Sequence, residues 1–193
     1  MNISDQSIRK RMPLQAAIKL AIKACVIGTA VLAGTLEPIQ PSQAAPQGRV
    51  ITIARRVQAN SVTNMERQIW WEVNRQRRRY GLRPLRSNPK LNQIARTYSR
   101  QMADYNFYRH RGLRGETPRQ RVEAQGLRAR LVGENLVKFS QRPNPAAAAV
   151  QSWMRSPGHR KNLLLPQMTD TGIGVWKKGS NYYFTQLYIQ PQR

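Results

Sequence analysis

His110 in YNFYRHRG, Glu134 in LVGENLV and His159 in SWMRSPGHRKN are the residues of this sequence whose types suit proton transfer or metal binding. The two imidazoles are the whole histidine complement of the chain. Separations of 24 and 25 residues match no compact metal motif, so the fold has to assemble any site they form. Each residue also has a reading without chemistry. Glu134, flanked by Leu131, Val132, Leu136 and Val137, is a carboxylate among apolar neighbours and needs a donor, for which arginines are abundant. His110 can end a helix, where a cation meets the negative end of the dipole. His159 can tie its own helix to a neighbouring strand. Both readings of each residue stand at this point.

Other chemistries fare worse. The sequence has no G-x-S-x-G elbow, no HExxH and no phosphate-cradling Walker loop. Ser156 or Ser152 could serve as a nucleophile activated by His159, but few acids are available to orient the imidazole, and Ser156 reads better as a helix cap.

The elements that must position these residues can be read from caps and periodicity. Thr63 and Glu66 stand at capping-box spacing, Met65, Ile69 and Val73 recur every four residues, and Gly81 is a natural stop, which predicts a first helix. Asn88-Pro89 opens a second helix whose apolar face is Leu91, Ile94, Ala95, Tyr98, Met102 and Tyr105. His110 lies just past it. The same cap-then-proline device recurs at Thr117-Pro118, Asn144-Pro145 and Ser156-Pro157, the last placing His159 in the first turn of a short helix. Leu131 to Phe139 is strand-like and carries Glu134. TGIGVWKKGSNYYFTQLYI reads as two strands joined across Lys178 to Asn181. Helices first and strands last predict an α+β domain with a mostly antiparallel sheet.

The chain has 33 Lys plus Arg against 9 Asp plus Glu, a formal net charge of +24. Residues 1–44 read as an export signal: a basic start, an apolar run from Ala24 to Leu36 too short to span a bilayer comfortably, and small residues before a cleavage point after Ala44. An uncleaved anchor is the alternative. Residues 45–60 read as a linker or N-terminal arm, and residues 61–193 as one domain. The only cysteine, Cys25, falls inside the signal, so the mature chain would have no disulfide and no thiolate site. Without residues 1–44, 28 basic and 7 acidic residues remain, so the excess charge belongs to the domain. Arginine-dense stretches such as RQRRRYGLRPLR and RHRGLRGETPRQR suit phosphate and carboxylate. Nucleic acid fits that charge but not an exported compartment. Anionic lipid, glycan or another envelope polymer is the expected partner of a secreted, extracellular or periplasmic protein.

Taken in order, EVNRQRRRYGLRPLRSNPKLNQIARTYSRQMADYNFYRHRG, RVEAQG, GENL, VQSWMRSPGHRKNLL, TDTGIGV and YYFTQLY resemble the CAP superfamily in its bacterial SCP-domain form. This is the group of cysteine-rich secretory, antigen 5 and pathogenesis-related 1 proteins. The resemblance covers Met65 to Gln190. It implies a three-layer α-β-α sandwich, an extracellular location, and a central cleft commonly lined by two histidines and two acids, which hold a divalent metal in some members. His110 matches the first histidine and Glu134 the first acid. The second acid usually follows the tryptophan of the fourth-helix motif by three residues, where this chain has Ser156 after Trp153. The second histidine usually opens an H-Y-T-Q motif, where Tyr183 stands before Phe184-Thr185-Gln186. His159 is the expected substitute in the same cleft.

The resemblance thus adds Ser156 and Tyr183 to His110, Glu134 and His159 as cleft residues. Zinc on His110, Glu134 and His159 is expected to be weak or absent, because the second acid is missing and the surroundings are cationic. Two functions follow. The first is a non-catalytic binding module, a monomer, for an envelope lipid, glycan or protein, in keeping with the lipid and sterol binding that recurs in the superfamily. The alternative is a protease-like hydrolase using His110, Glu134 and His159. Convergence of those three side chains on one cleft would favour function over ion pairing and capping.

Overall fold

The computed structural model describes residues 47–192. Residues 1–44, read from the sequence as an export signal, and the first residues of the expected arm lie outside them. Nine elements follow in order: α1 Gln47–Arg79, β1 Arg86–Ser87, α2 Pro89–Asp104, α3 Pro118–Glu123, β2 Ala129–Ser140, α4 Pro145–Arg155, α5 Pro157–Leu164, β3 Asp170–Lys178 and β4 Asn181–Pro191. The strands form one sheet in the order β1-β3-β4-β2, antiparallel except for the short β1–β3 pair. Among the described residues β2 is therefore an edge strand of the sheet.

Alternation along the strands divides the core into two sides. On one side Val137, Ile173, Val175, Phe184 and Tyr188 pack against Ile69 and Val73 of α1, Trp153 of α4 and Leu163 of α5. On the other, Leu187 and Ile189 meet Leu91, Ile94 and Ala95 of α2 and Val122 of α3, while Leu136 and Tyr183 meet Tyr98 and Met102. This is the expected three-layer α-β-α arrangement. Its α2 layer lies very close to the sheet, because β3 offers Gly172 and Gly174 on that face. A Cβ at Gly174 would run into the backbone of Ala95 and Arg96, and one at Gly172 into that of Leu91.

The first helix differs from the expectation. α1 starts at Gln47 and runs through the residues read as an arm, so Thr63 and Glu66 stand in mid-helix and form no capping box. Thr63 Oγ1 donates to Ala59 O at 3.0 Å, the back-bond of a helical threonine. Glu66 acts over long range instead. It receives Arg96 in a bidentate pair and accepts the Val175 amide at 3.0 Å, joining α1, α2 and β3. The predicted stop holds: Gly81 takes φ +67° and Leu82 N closes back on Arg77 O at 3.0 Å.

Arg77, at the end of α1, is fully buried without a carboxylate partner. Its guanidinium donates instead to the carbonyls of Arg83 (2.9 Å), Leu163 (2.8 Å), Leu165 (3.1 Å) and Met168 (3.3 Å). Burial pulls its pKa down from the usual arginine value, opposed by Tyr188. The carbonyls at the end of α5 supply the negative potential that this cation needs. This contact fixes one end of α5, the helix that carries His159.

Candidate functional site

The site is built around the edge strand β2. Successive residues of Gly133-Glu134-Asn135 point to opposite faces, so Glu134 joins the α2–α3 side and Asn135 the α5 side. Asn135 Nδ2 donates to His159 O at 2.9 Å and to Tyr188 Oη at 3.0 Å, and Tyr188 Oη in turn donates to Gln186 Oε1 at 2.8 Å. Asn162 Nδ2 donates to Glu134 O at 3.1 Å and to Asn135 Oδ1 at 3.0 Å. These amides clamp α5 to β2. His159 is thereby presented at the sheet edge.

On the other side Glu134 is nearly sealed from solvent, with its side chain 2% exposed. Both its oxygens are engaged: Oε1 with His110 Nδ1 at 2.8 Å and Oε2 with Arg121 Nη2 at 2.5 Å. Arg121 is phased by α3, whose capping box pairs Thr117 with Gln120. Its Nη1 also donates to His110 O at 3.1 Å and to Glu116 O at 3.0 Å, pinning the loop that bears the histidine. The guanidinium stacks 3.5 Å above the Tyr98 ring, and Tyr98 Oη donates to Arg109 O at 2.6 Å in the same loop. Burial pushes the Tyr98 hydroxyl up to about 12, partly opposed by Arg121, so it remains a proton donor at neutral pH.

His110, 53% exposed, uses Nδ1 on Glu134 and turns the rest of its ring to solvent. The His159 ring lies 6.5 Å away, centroid to centroid, tilted by 54°. Burial first and His110 second hold the His159 pKa below the ordinary histidine value. Two imidazoles thus lie near each other at the β2 edge, one anchored to a buried carboxylate and one whose pKa burial lowers.

Residues 71–188 match the model of the cysteine-rich secretory protein family, CAP. The chain belongs to the CAP family. Among its relatives is an uncharacterized protein of Bacillus subtilis, YkwD, 33% identical over 67% of this chain and 49% of its own length. An uncharacterized membrane protein of the same organism, YlbC, is 31% identical over 66% of this chain and 35% of its own. The chain spans half or less of the length of these curated relatives. Among solved structures, an extracellular protein containing an SCP domain from Bacillus anthracis is 31% identical, with a TM-score of 0.60 over 66% of this chain and 41% of that one.

Within this CAP domain, His110, Glu134 and His159 meet at one edge, whereas Ser156 and Tyr183 take other places. Ser156 marks the α4–α5 junction as its sequence suggests, yet its side chain makes no capping bond; its carbonyl accepts from Arg160 N at 2.8 Å. Tyr183 is 3% exposed in the core beside Tyr98, Met102 and Leu136. It pairs with Lys138, whereas Glu134 pairs with Leu187, four residues further along β4. Among the described residues, no three His, Cys, Asp or Glu side chains are grouped to hold a metal ion. Both Glu134 oxygens and His110 Nδ1 are bound to one another or to a guanidinium, so a cation that took Glu134 as a ligand would have to displace His110 or Arg121 from it. Arg121, Asn135 and Asn162 carry no signal of their own in the sequence, and Tyr98 shows there only as a member of the apolar face of α2. Arg121 is one arginine among many, although a buried Glu134 demands such a donor.

Proposed function

We propose that this CAP domain is a secreted, non-catalytic binding module that engages an anionic lipid, glycan or protein of the cell envelope through the His110–His159 edge and the basic surface around it. The observation that carries this reading is the engagement of both Glu134 oxygens. A carboxylate held by a buried guanidinium and an imidazole is poorly suited to act as a base, nucleophile or metal ligand; it serves as the anchor that presents the His110 ring. The relatives' descriptions as extracellular or membrane proteins support an envelope location. No described helix is long and apolar enough to cross a membrane.

The test uses His110→Ala/His159→Ala, which leaves the buried pair in place. The full chain should bind vesicles containing phosphatidylglycerol, and the double variant should bind them several-fold more weakly. Neither protein should release product from peptide, ester or glycoside substrates. Turnover by the native chain that disappears in the double variant would replace the binding module with the hydrolase.

A further inference from the structure

The opposite end of the sheet carries a second cationic feature. Around the β3–β4 turn a cavity of about 530 Å³ is lined by Gln141, Arg142, Pro143, Lys177, Ser180 and Tyr182, together with Gly179. Along β2 this is about 20 Å from Glu134, at roughly 3.3 Å per residue. The two sites share no residue.

Its two cations are held in place by rings. The Arg142 guanidinium lies 5.1 Å from the centroid of Phe139 and Lys177 Nζ 5.2 Å from that of Tyr182. Phe139 and Tyr182 are direct cross-strand partners, and Tyr182 is also the partner of Lys177. Both rings pack on Phe184, at 5.9 and 6.2 Å, so the aromatic platform is itself fixed. The loop that presents Arg142 is tied down at both ends. Gln141 N donates to Ser180 O at 2.9 Å, and Asn144 accepts from Gln68 Nε2 at 3.0 Å while capping α4. Gln141 and Asn144 both take positive φ, at 25° and 46°, a conformation that non-glycine residues hold only when their surroundings impose it.

Among the described residues no acid is ion-paired with Arg142 or Lys177. Glu66, Glu72, Asp104, Glu123, Glu134 and Asp170 are each ion-paired with another residue, and Glu116 accepts the Arg114 amide at 3.0 Å. These are all the acids among the described residues, and none lines the cavity. Two like charges are thus held on neighbouring rings at one cavity, which Ser180 also lines.

We infer that this cavity is a binding site for a phosphate group, taken up between Arg142 and Lys177, and that it is distinct from the His110–His159 edge. The planar guanidinium supplies paired donors to two phosphate oxygens, the ammonium a compact charge, and Ser180 a neutral hydrogen bond. The phosphate can belong to a soluble or polymeric phosphate or to a lipid headgroup. The inference does not rest on the reading of the cleft.

The test titrates the full chain with tripolyphosphate by calorimetry, and in a second arm with vesicles of phosphatidylglycerol in phosphatidylcholine. Native protein should show saturable binding of tripolyphosphate that weakens about tenfold or more in Arg142→Gln/Lys177→Gln. Arg78→Gln/Arg79→Gln removes the same charge from exposed positions at the end of α1 and should change affinity less than about twofold. Parallel loss of vesicle binding in the cavity variant would assign a lipid headgroup; loss of tripolyphosphate alone would assign a soluble or polymeric phosphate. Equal weakening in the two double variants, or no saturable binding by the native chain, would overturn the inference. Either result leaves the His110→Ala/His159→Ala test of the cleft unaffected.

Discussion

Glu134→Gln isolates the pair on which the site is built. The substitution keeps the shape of the side chain but removes the charge facing Arg121, whose side chain is only 8% exposed. Removing one partner of a buried pair typically costs about 3–5 kcal/mol, because the other charge is left in a poor environment. Here Arg121 retains two carbonyl acceptors and the Tyr98 ring, and glutamine still accepts one hydrogen bond, which places the expected loss near the lower end, about 3 kcal/mol. For a chain of this size that corresponds to a fall in Tm of about 6–12 °C. Urea denaturation and thermal melts followed by circular dichroism would measure it. Glu134→Gln/Arg121→Gln should cost less than the sum of its single variants by about 2 kcal/mol. Single variants that each lose less than about 1 kcal/mol and combine additively would refute the claim that Glu134 is a buried structural anchor.

Arg77→Met should destabilise the domain by about 3 kcal/mol in urea, since it strands four carbonyls that share one guanidinium. Gly174→Ala should prevent folding or lower Tm sharply, because its Cβ has no room against the α2 backbone. The depressed His159 pKa gives a pH dependence with a definite sign: the unfolded chain takes up its proton first, so stability is retained above the ordinary histidine value of about 6.5 and falls as pH drops through that value to the folded pKa. His159→Gln should flatten this part of a Tm-against-pH curve, and an unchanged curve would remove His159 from the explanation.

The α2 helix, the two final strands and the cap-proline starts of α2 to α5 are legible in the sequence because each carries a local signal: a cap, a period or a glycine stop. The capping-box pattern at Thr63 and Glu66 misleads for a physical reason. Glu66 is matched to a partner thirty residues away, Arg96, and to the Val175 amide on β3, neither of which leaves a mark in the local sequence. The two-residue strand β1 is likewise defined by its parallel partner and not by its own residues. At the site, residue type identifies His110, Glu134 and His159, since so few imidazoles and acids are available. Their support is what the sequence does not display. Asn135 and Asn162 act through a register between β2 and α5, and Arg121 is distinguished from other arginines only by where α3 puts it.

Binding of an anionic envelope surface by charge, without turnover, is the function proposed for this CAP domain. Its most direct test is the affinity of the full chain for phosphatidylglycerol vesicles as salt rises from about 0.05 M to about 0.5 M, where the Debye length contracts to roughly 4 Å. Affinity is expected to fall by more than about tenfold over that range, with the lipid recovered intact. Affinity that does not change with salt, or hydrolysed lipid in the recovered vesicles, would contradict it.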